Sequence, residues 1–215
     1  MLSKKKIIAI SLSLCLSLSS FLIYKHNHIN VIKQDALMAS INSFDELYKD
    51  SDAVILVKAK GNKENVVNGE DWDQTGYTLS EVEIVKVLKN NDNHPINNNE
   101  NINIIEPYYI EQGGIFEGEN KLIYEDYTEL KEDCLYILTL GWYDEGKAYA
   151  TNGVSQAKYN IDGKDTEELK TFNISTSKRK KRSLDSQEPQ NHMQELRQQV
   201  LEKFDKEIQE AVENN

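Results

Sequence analysis

The chain has 215 residues, with 36 Asp and Glu against 25 Lys and Arg, two Cys and three Pro. That is enough for one domain with appendages, and it excludes collagen, a disulfide scaffold and a wholly disordered chain. Hydrophobic residues at 39% support one modest core, and a net charge of -11 argues against general nucleic-acid binding.

Residues 1–25 read as an export signal or membrane anchor. Lys4, Lys5 and Lys6 precede residues 7–24, which carry no charge. Eighteen helical residues span about 27 Å, close to the hydrocarbon thickness of a bilayer and longer than the core of a cleaved signal peptide. The best available small-residue stretch, Ser17-Leu18-Ser19-Ser20, lies inside the apolar run, so retention is favoured over cleavage. Three Lys before the run and Lys25 directly after it place the N-terminus in the cytoplasm and the body outside. Leu12-Ser13-Leu14-Cys15 has the outline of a lipoprotein box, but Leu14 stands where a small residue belongs, so Cys15 reads as lipid-facing.

Residues 26–42 read as a linker. Ser43-Phe44-Asp45-Glu46 has the form of a capping box and predicts a short helix with Phe44, Leu47 and Tyr48 on one face. Residues 53–60 predict a strand covered on both faces, with Ala53, Ile55, Val57 and Ala59 on one side and Val54 and Leu56 on the other. The polar stretch 61–74 reads as a long loop. In residues 75–90 the apolar phase shifts from Tyr77 and Leu79 to Val82 and Ile84 and again to Val85 and Val87, which predicts a bulged, bent strand.

The Asn-rich stretch 90–101 is a loop by composition, and Ile102, Ile104 and Ile105 supply the next strand. Gly113, Gly114 and Gly118 break the chain before a short strand at 122–127. Residues 135–142 and 147–150, joined through Asp144-Glu145-Gly146, predict a hairpin, and 155–161 a last strand. Residues 164–187 read as a basic linker carrying Lys178, Arg179, Lys180, Lys181 and Arg182. From Pro189, the spacing of Met193, Leu196, Val200, Phe204, Ile208 and Ala211 predicts an amphipathic helix over 188–213, with packing on its own domain favoured over a partner helix. The fold class is mainly β with flanking helices: the strand set favours a small, closed or half-closed five-stranded barrel over residues 43–163.

The segments Ser51-Asp52-Ala53-Val54-Ile55-Leu56-Val57-Lys58-Ala59, Val82 through Leu88-Lys89, and Leu135-Tyr136-Ile137-Leu138-Thr139-Leu140 resemble those of exported bacterial proteins with an OB-like, netrin/TIMP-type barrel. The resemblance covers roughly residues 43–163 and rests mainly on core positions; Asn90 and Cys134 stand where that group often has Gly. It implies a fold and an address but no reaction, since most bacterial members have no known function. Metalloproteinase inhibition does not carry over, because that activity needs a mature N-terminal Cys.

Chemistry is sparse in the sequence. His26, His28, His94 and His192 form no zinc-type set, and no G-x-S-x-G motif presents a nucleophile. Asn68, Glu70, Asp71 and Asp73 offer hard oxygens without the alternation of an EF-hand loop, so no metal, cofactor or catalytic residue is assigned. Cys134 within an apolar run predicts a buried, inert thiol. Residues 41–163 hold 24 acids and 10 bases, whereas 164–215 hold 11 and 10, so charge is segregated.

Two contact surfaces follow. One is a set of aromatic rings in expected loops or hairpin ends, Trp72, Tyr108, Tyr109, Trp142 and Tyr143, with Phe116, at the mouth of the barrel. The other is the basic run 178–182, suited to an anionic wall polymer or lipid. The expected function is a non-catalytic, membrane-tethered or secreted extracytoplasmic binding or accessory module for an envelope protein or polymer, without a nucleic-acid partner. The alternatives are a secreted inhibitor or immunity-type protein of a protease or hydrolase and, last, an exported hydrolase using Asp71, Asp73 or Glu111.

Overall fold

A computed structural model describes residues 28–35, 41–70, 74–112, 118–170 and 188–214, together with Ser20 and Tyr24. The elements are β1 (Ile29–Gln34), α1 (Phe44–Asp50), β2 (Ala53–Asn68), β3 (Thr75–Lys89), β4 (Asn101–Glu106), β5 (Tyr108–Gln112), β6 (Glu119–Tyr124), β7 (Leu135–Tyr143), β8 (Ala148–Thr151), a 3-10 turn (Val154–Ala157), β9 (Lys158–Asn160), α2 (Glu188–Lys203) and α3 (Asp205–Glu213). The protein is mainly β with a few helices. Five strands pair in the order β2-β3-β4-β8-β7 and β7 pairs back on β2, so they form a ring, and β9 adds to β7. A separate sheet has the order β1-β6-β5.

The ring closes because β2 and β7 are apolar on both faces. Ala53, Ile55, Val57 and Ala59 point inward to meet Val82, Ile84, Ile104, Tyr136, Leu138 and Leu140. Val54 and Leu56 point outward with Leu135 and Ile137 and meet Phe44 and Leu47 of α1, Leu196 and Val200 of α2, and Phe204. Each such fully buried aliphatic side chain contributes about 1.5–3 kcal/mol. The C-terminal helices therefore pack on the chain's own sheet, and Phe44 and Phe204 meet edge-on at 5.9 Å.

The phase shift of β3 has the cause its sequence indicates. Opposite the step from Val54 to Ile55, β3 runs from Lys89 to Val87, and opposite Leu56 to Val57 it runs from Lys86 to Ile84. Leu88 and Val85 are thus the extra residues of two bulges. Both lie against the outer, helix-covered cluster, while Val87 packs on the inner one.

Several sequence expectations need correction. The stretch 61–68 is strand, not loop: β2 continues opposite β3 from Lys63 beside Ser80 to Asn68 beside Thr75. Apart from Val66 and Val67 it carries no apolar side chain, in keeping with an arm of the hairpin that is mostly exposed. Tyr109 of β5 closes on the arm at Gly76, where a Cβ would lie 2.6 Å from the tyrosine ring. The linker 26–42 contains β1, which pairs in parallel with β6, some 90 residues on in the chain. The strand expected at 122–127 runs over Glu119–Tyr124, and the one at 155–161 is a 3-10 turn followed by β9. Beyond Gly163 the chain does not become a linker at once, since Asp165 and Glu168 are buried. The helix expected over 188–213 is two helices, broken at Phe204, whose backbone leaves the helical range (φ -117°).

At α1 the capping box is half formed. Ser43 accepts from the Glu46 amide at 3.2 Å. The Glu46 carboxylate reaches past Ser43 and accepts from the Asn42 amide at 2.9 Å. The apolar run 7–24 lies outside the described residues apart from Ser20 and Tyr24, and no helix among the described residues is long and apolar enough to cross a membrane.

Candidate functional site

The β7–β8 hairpin presents Trp142 at one end of the ring. Asp52, just ahead of β2, accepts from the Trp142 amide at 2.7 Å, and Asp144 accepts from its indole N–H at 2.9 Å. His94 stacks on the indole at 3.7 Å with the rings 10° apart, and Tyr149 meets it nearly edge-on at 5.2 Å. The Tyr149 hydroxyl donates to the His94 carbonyl at 2.6 Å.

The loop that carries His94 is ordered by Asn90. Its amide side chain accepts from the Ile96 amide at 3.1 Å and donates to the Ile96 carbonyl at 2.9 Å, imitating a strand partner. Between this loop and the hairpin turn lies an open groove of about 490 Å³, walled by Leu79, Ile96, Ile102, Trp142 and Ala148. Among the described residues Lys147 is the single cation that lines it. On the outer edge of β4, β8 pairs only with Ile104 and Ile105, so Ile102 and Asn103, which line the groove, have no strand beside them on that edge among the described residues.

The five aromatic candidates do not form one surface. Trp142 and Tyr143 share the hairpin; Tyr143 is exposed and donates to Glu145 at 2.6 Å. Tyr108 and Tyr109 are not loop residues: they lie in β5 and are 3% and 1% exposed, held in by the pairing of β5 with β6. Trp72 and Phe116 lie outside the described residues, as do Asp71, Asp73 and the basic run 178–182. Glu111 of β5 is on a different sheet from the groove and accepts from Asn120 at 3.3 Å.

Two buried charge centres escaped the sequence reading. Glu106, fully buried, accepts from the Ser80 hydroxyl, from the Tyr127 hydroxyl at 2.8 Å and from the Leu130 amide at 2.7 Å. Lys158 contacts Asp165 at 3.4 Å, Glu168 at 3.2 Å and the Thr128 hydroxyl at 2.9 Å. Arg197 of α2 reaches the same Glu168 at 3.3 Å and the Asn160 carbonyl at 2.6 Å. One signal marked both centres, a single charged residue inside an apolar or aromatic stretch, Ile105-Glu106 and Lys158-Tyr159.

A third centre sits at the surface. Lys63, Lys121 and Lys131 surround Glu129 at 2.8, 3.2 and 3.2 Å. Burial pushes the Glu129 carboxyl up, but the Lys63 hydrogen bond and the three ammonium charges outweigh it and hold the group well below its ordinary value of 4.5. A carboxyl held low in the folded state stabilises fully above that ordinary value, and its contribution fades as pH falls below it. Urea midpoints followed down the acid limb are therefore expected to fall less steeply for Glu129→Gln than for the parent chain. Parallel acid limbs would remove this role.

The Cys134 thiol is buried, as its sequence setting indicates, and burial pushes it above its ordinary value. Among the described residues no three His, Cys, Asp or Glu side chains group so as to hold a metal ion. No family model matches the chain, and no curated protein is significantly similar to it.

Proposed function

We propose that this chain is an extracytoplasmic binding or accessory module, carried at the membrane by residues 7–24, whose five-strand ring is an OB-like barrel of netrin/TIMP type. It acts without catalysis, through a protein segment laid in the Trp142 groove. The observation that carries this reading is the groove itself: Trp142 fixed on three sides by Asp52, Asp144 and His94, beside apolar walls and a strand-free stretch of β4. A rigid, part-buried indole in an apolar groove is the arrangement that concentrates binding energy at protein interfaces. An anionic polymer fits less well, because Lys147 is the only lining cation among the described residues and Asp144 and Glu145 precede it in the hairpin turn.

A photoreactive group at position 147 of the full chain, used on membranes and envelope extract of the source cell, is expected to capture a protein partner. Trp142→Ala is expected to weaken that complex by about 2 kcal/mol, roughly 30-fold in Kd. Tyr143→Ala serves as the neighbouring control. Capture that is indifferent to Trp142, or recovery of wall polymer alone, would sink the reading; stoichiometric inhibition of a captured protease or hydrolase would specify it as an inhibitor.

A further inference from the structure

Seven large hydrophobic side chains are exposed among the described residues, and four of them fall between positions 24 and 32: Tyr24 at 62%, Ile29 at 48%, Val31 at 60% and Ile32 at 41%. Three of the four belong to β1. That strand is the edge of its sheet, bonded to β6 on one side with no strand on the other among the described residues. By strand alternation Ile29 and Val31 share one face and Ile32 takes the opposite one. Exposed apolar side chains therefore stand on both faces of this edge strand, beside the single charge of Lys33, and only an edge-on approach brings all three to one surface.

The covalent chain limits what can cover this edge. The uncharged run ends at Tyr24, and β1 begins five residues later, which places Ile29 within roughly 17 Å of Tyr24 even if the connection is fully extended. Tyr24 and His28 stack at 5.6 Å, which draws the two nearer. A tyrosine at the end of a spanning run belongs at the headgroup level, so β1 starts within reach of the same layer.

We infer that the outer edge of β1 lies on the bilayer surface, with Ile29, Val31 and Ile32 seated at the headgroup–acyl boundary. The inference rests on the reading of residues 7–24 as a membrane segment. Attraction to anionic lipid does not drive the contact, because residues 41–163 hold 24 acids against 10 bases and Lys33 is paired with Asp126. Zwitterionic lipid suffices, and salt has little effect. The depth is limited as well: the outer peptide groups of β1 need hydrogen-bonding partners, which the headgroup layer and its water supply and the hydrocarbon interior does not. The arrangement would fix the ring at a set height and orientation above the membrane instead of leaving it on a swivelling tether.

The test uses the full chain in phosphatidylcholine vesicles, with a nitroxide at Val31→Cys or, as control, at Tyr143→Cys, both in a Cys15→Ser, Cys134→Ala background. Flotation of the vesicles tests the membrane segment first. The expected result is co-flotation, an oxygen-to-nickel-chelate accessibility ratio several-fold higher at position 31 than at position 143, and no change at high salt. Co-flotation with equal aqueous access at both positions overturns the docking and leaves the membrane segment standing. Failure to float removes the membrane segment and the docking with it. Shielding of position 31 from both reagents, with spin–spin broadening that grows with protein density, would assign the edge to a second copy of the chain and overturn the lipid contact.

Discussion

Replacing Lys158 with Met is expected to cost about 3–5 kcal/mol of folding stability, the usual consequence of removing one partner from a buried ionic group. The Lys158 side chain is 2% exposed, and the Asp165 and Glu168 side chains that it touches are 0% and 4% exposed. The Tyr136 hydroxyl also donates to Asp165 at 2.9 Å, and the Tyr136 and Tyr127 rings stack on the ammonium at 5.0 and 5.4 Å. Without the ammonium, two carboxylates share a dry site with Arg197 and the Asn160 amide as the remaining counterweights to Glu168.

Burial already raises the Glu168 carboxyl, and Lys158 is the first of the groups that hold it down. Loss of Lys158 therefore pushes it further up. A carboxyl raised in the folded state favours folding below its ordinary value of 4.5 and loses that advantage as pH rises through the raised value. The deficit of Lys158→Met should accordingly shrink in mild acid. Adding Asp165→Asn and Glu168→Gln should restore most of the loss at neutral pH, since the uncompensated charge goes with them. Urea unfolding of the three chains decides it: a single variant within 1 kcal/mol of the parent, or a triple variant no better than the single, would show that the centre is not ionically coupled.

Lys158 also marks the limit of what the sequence discloses. Patterns with local causes could be read directly. The two-faced apolar run of β2, the displaced phase of β3 at Val85 and Leu88, the cap at Ser43 and the stripe of α2 each depend on spacing within one element. Features made by distant pairings could not. β1 becomes a strand because β6 supplies its partner, and Tyr108 and Tyr109 are buried because β5 is sandwiched between β6 and the β2–β3 arm, bridged at Asn65, which exchanges two hydrogen bonds with the Ile110 backbone at 2.6 and 2.7 Å. The functional candidates divided the same way. Trp142 was legible as a hairpin-end aromatic, whereas the His94 stack that fixes it required the Asn90–Ile96 clasp to fold the loop back.

Glu106→Ala should be the second severe substitution, at about 3–5 kcal/mol, and for a different reason. The carboxylate ends β4 inside the protein and serves three donors: Ser80 of β3, and Tyr127 and the Leu130 amide of the segment between β6 and β7. Lys63 of β2 stands 3.7 Å away as its counter-charge. Truncation leaves these donors buried without an acceptor, each at about 1–3 kcal/mol, and strands the Lys63 ammonium beside Glu129 alone. Gln at the same position keeps one acceptor oxygen for Tyr127 and Leu130, and its amide can donate to a reoriented Ser80 hydroxyl, so Glu106→Gln should lose only about 1–2 kcal/mol. The two variants also differ in where they loosen. Segment 125–131 carries no regular element and is tied inward by Glu106, so its amides in the Ala variant should exchange before the ring opens, with Leu130 the fastest gain. Equal stability of the Ala and Gln variants, or unchanged exchange at Leu130 in the Ala variant, would mean that apolar packing alone holds this segment and that the carboxylate is incidental.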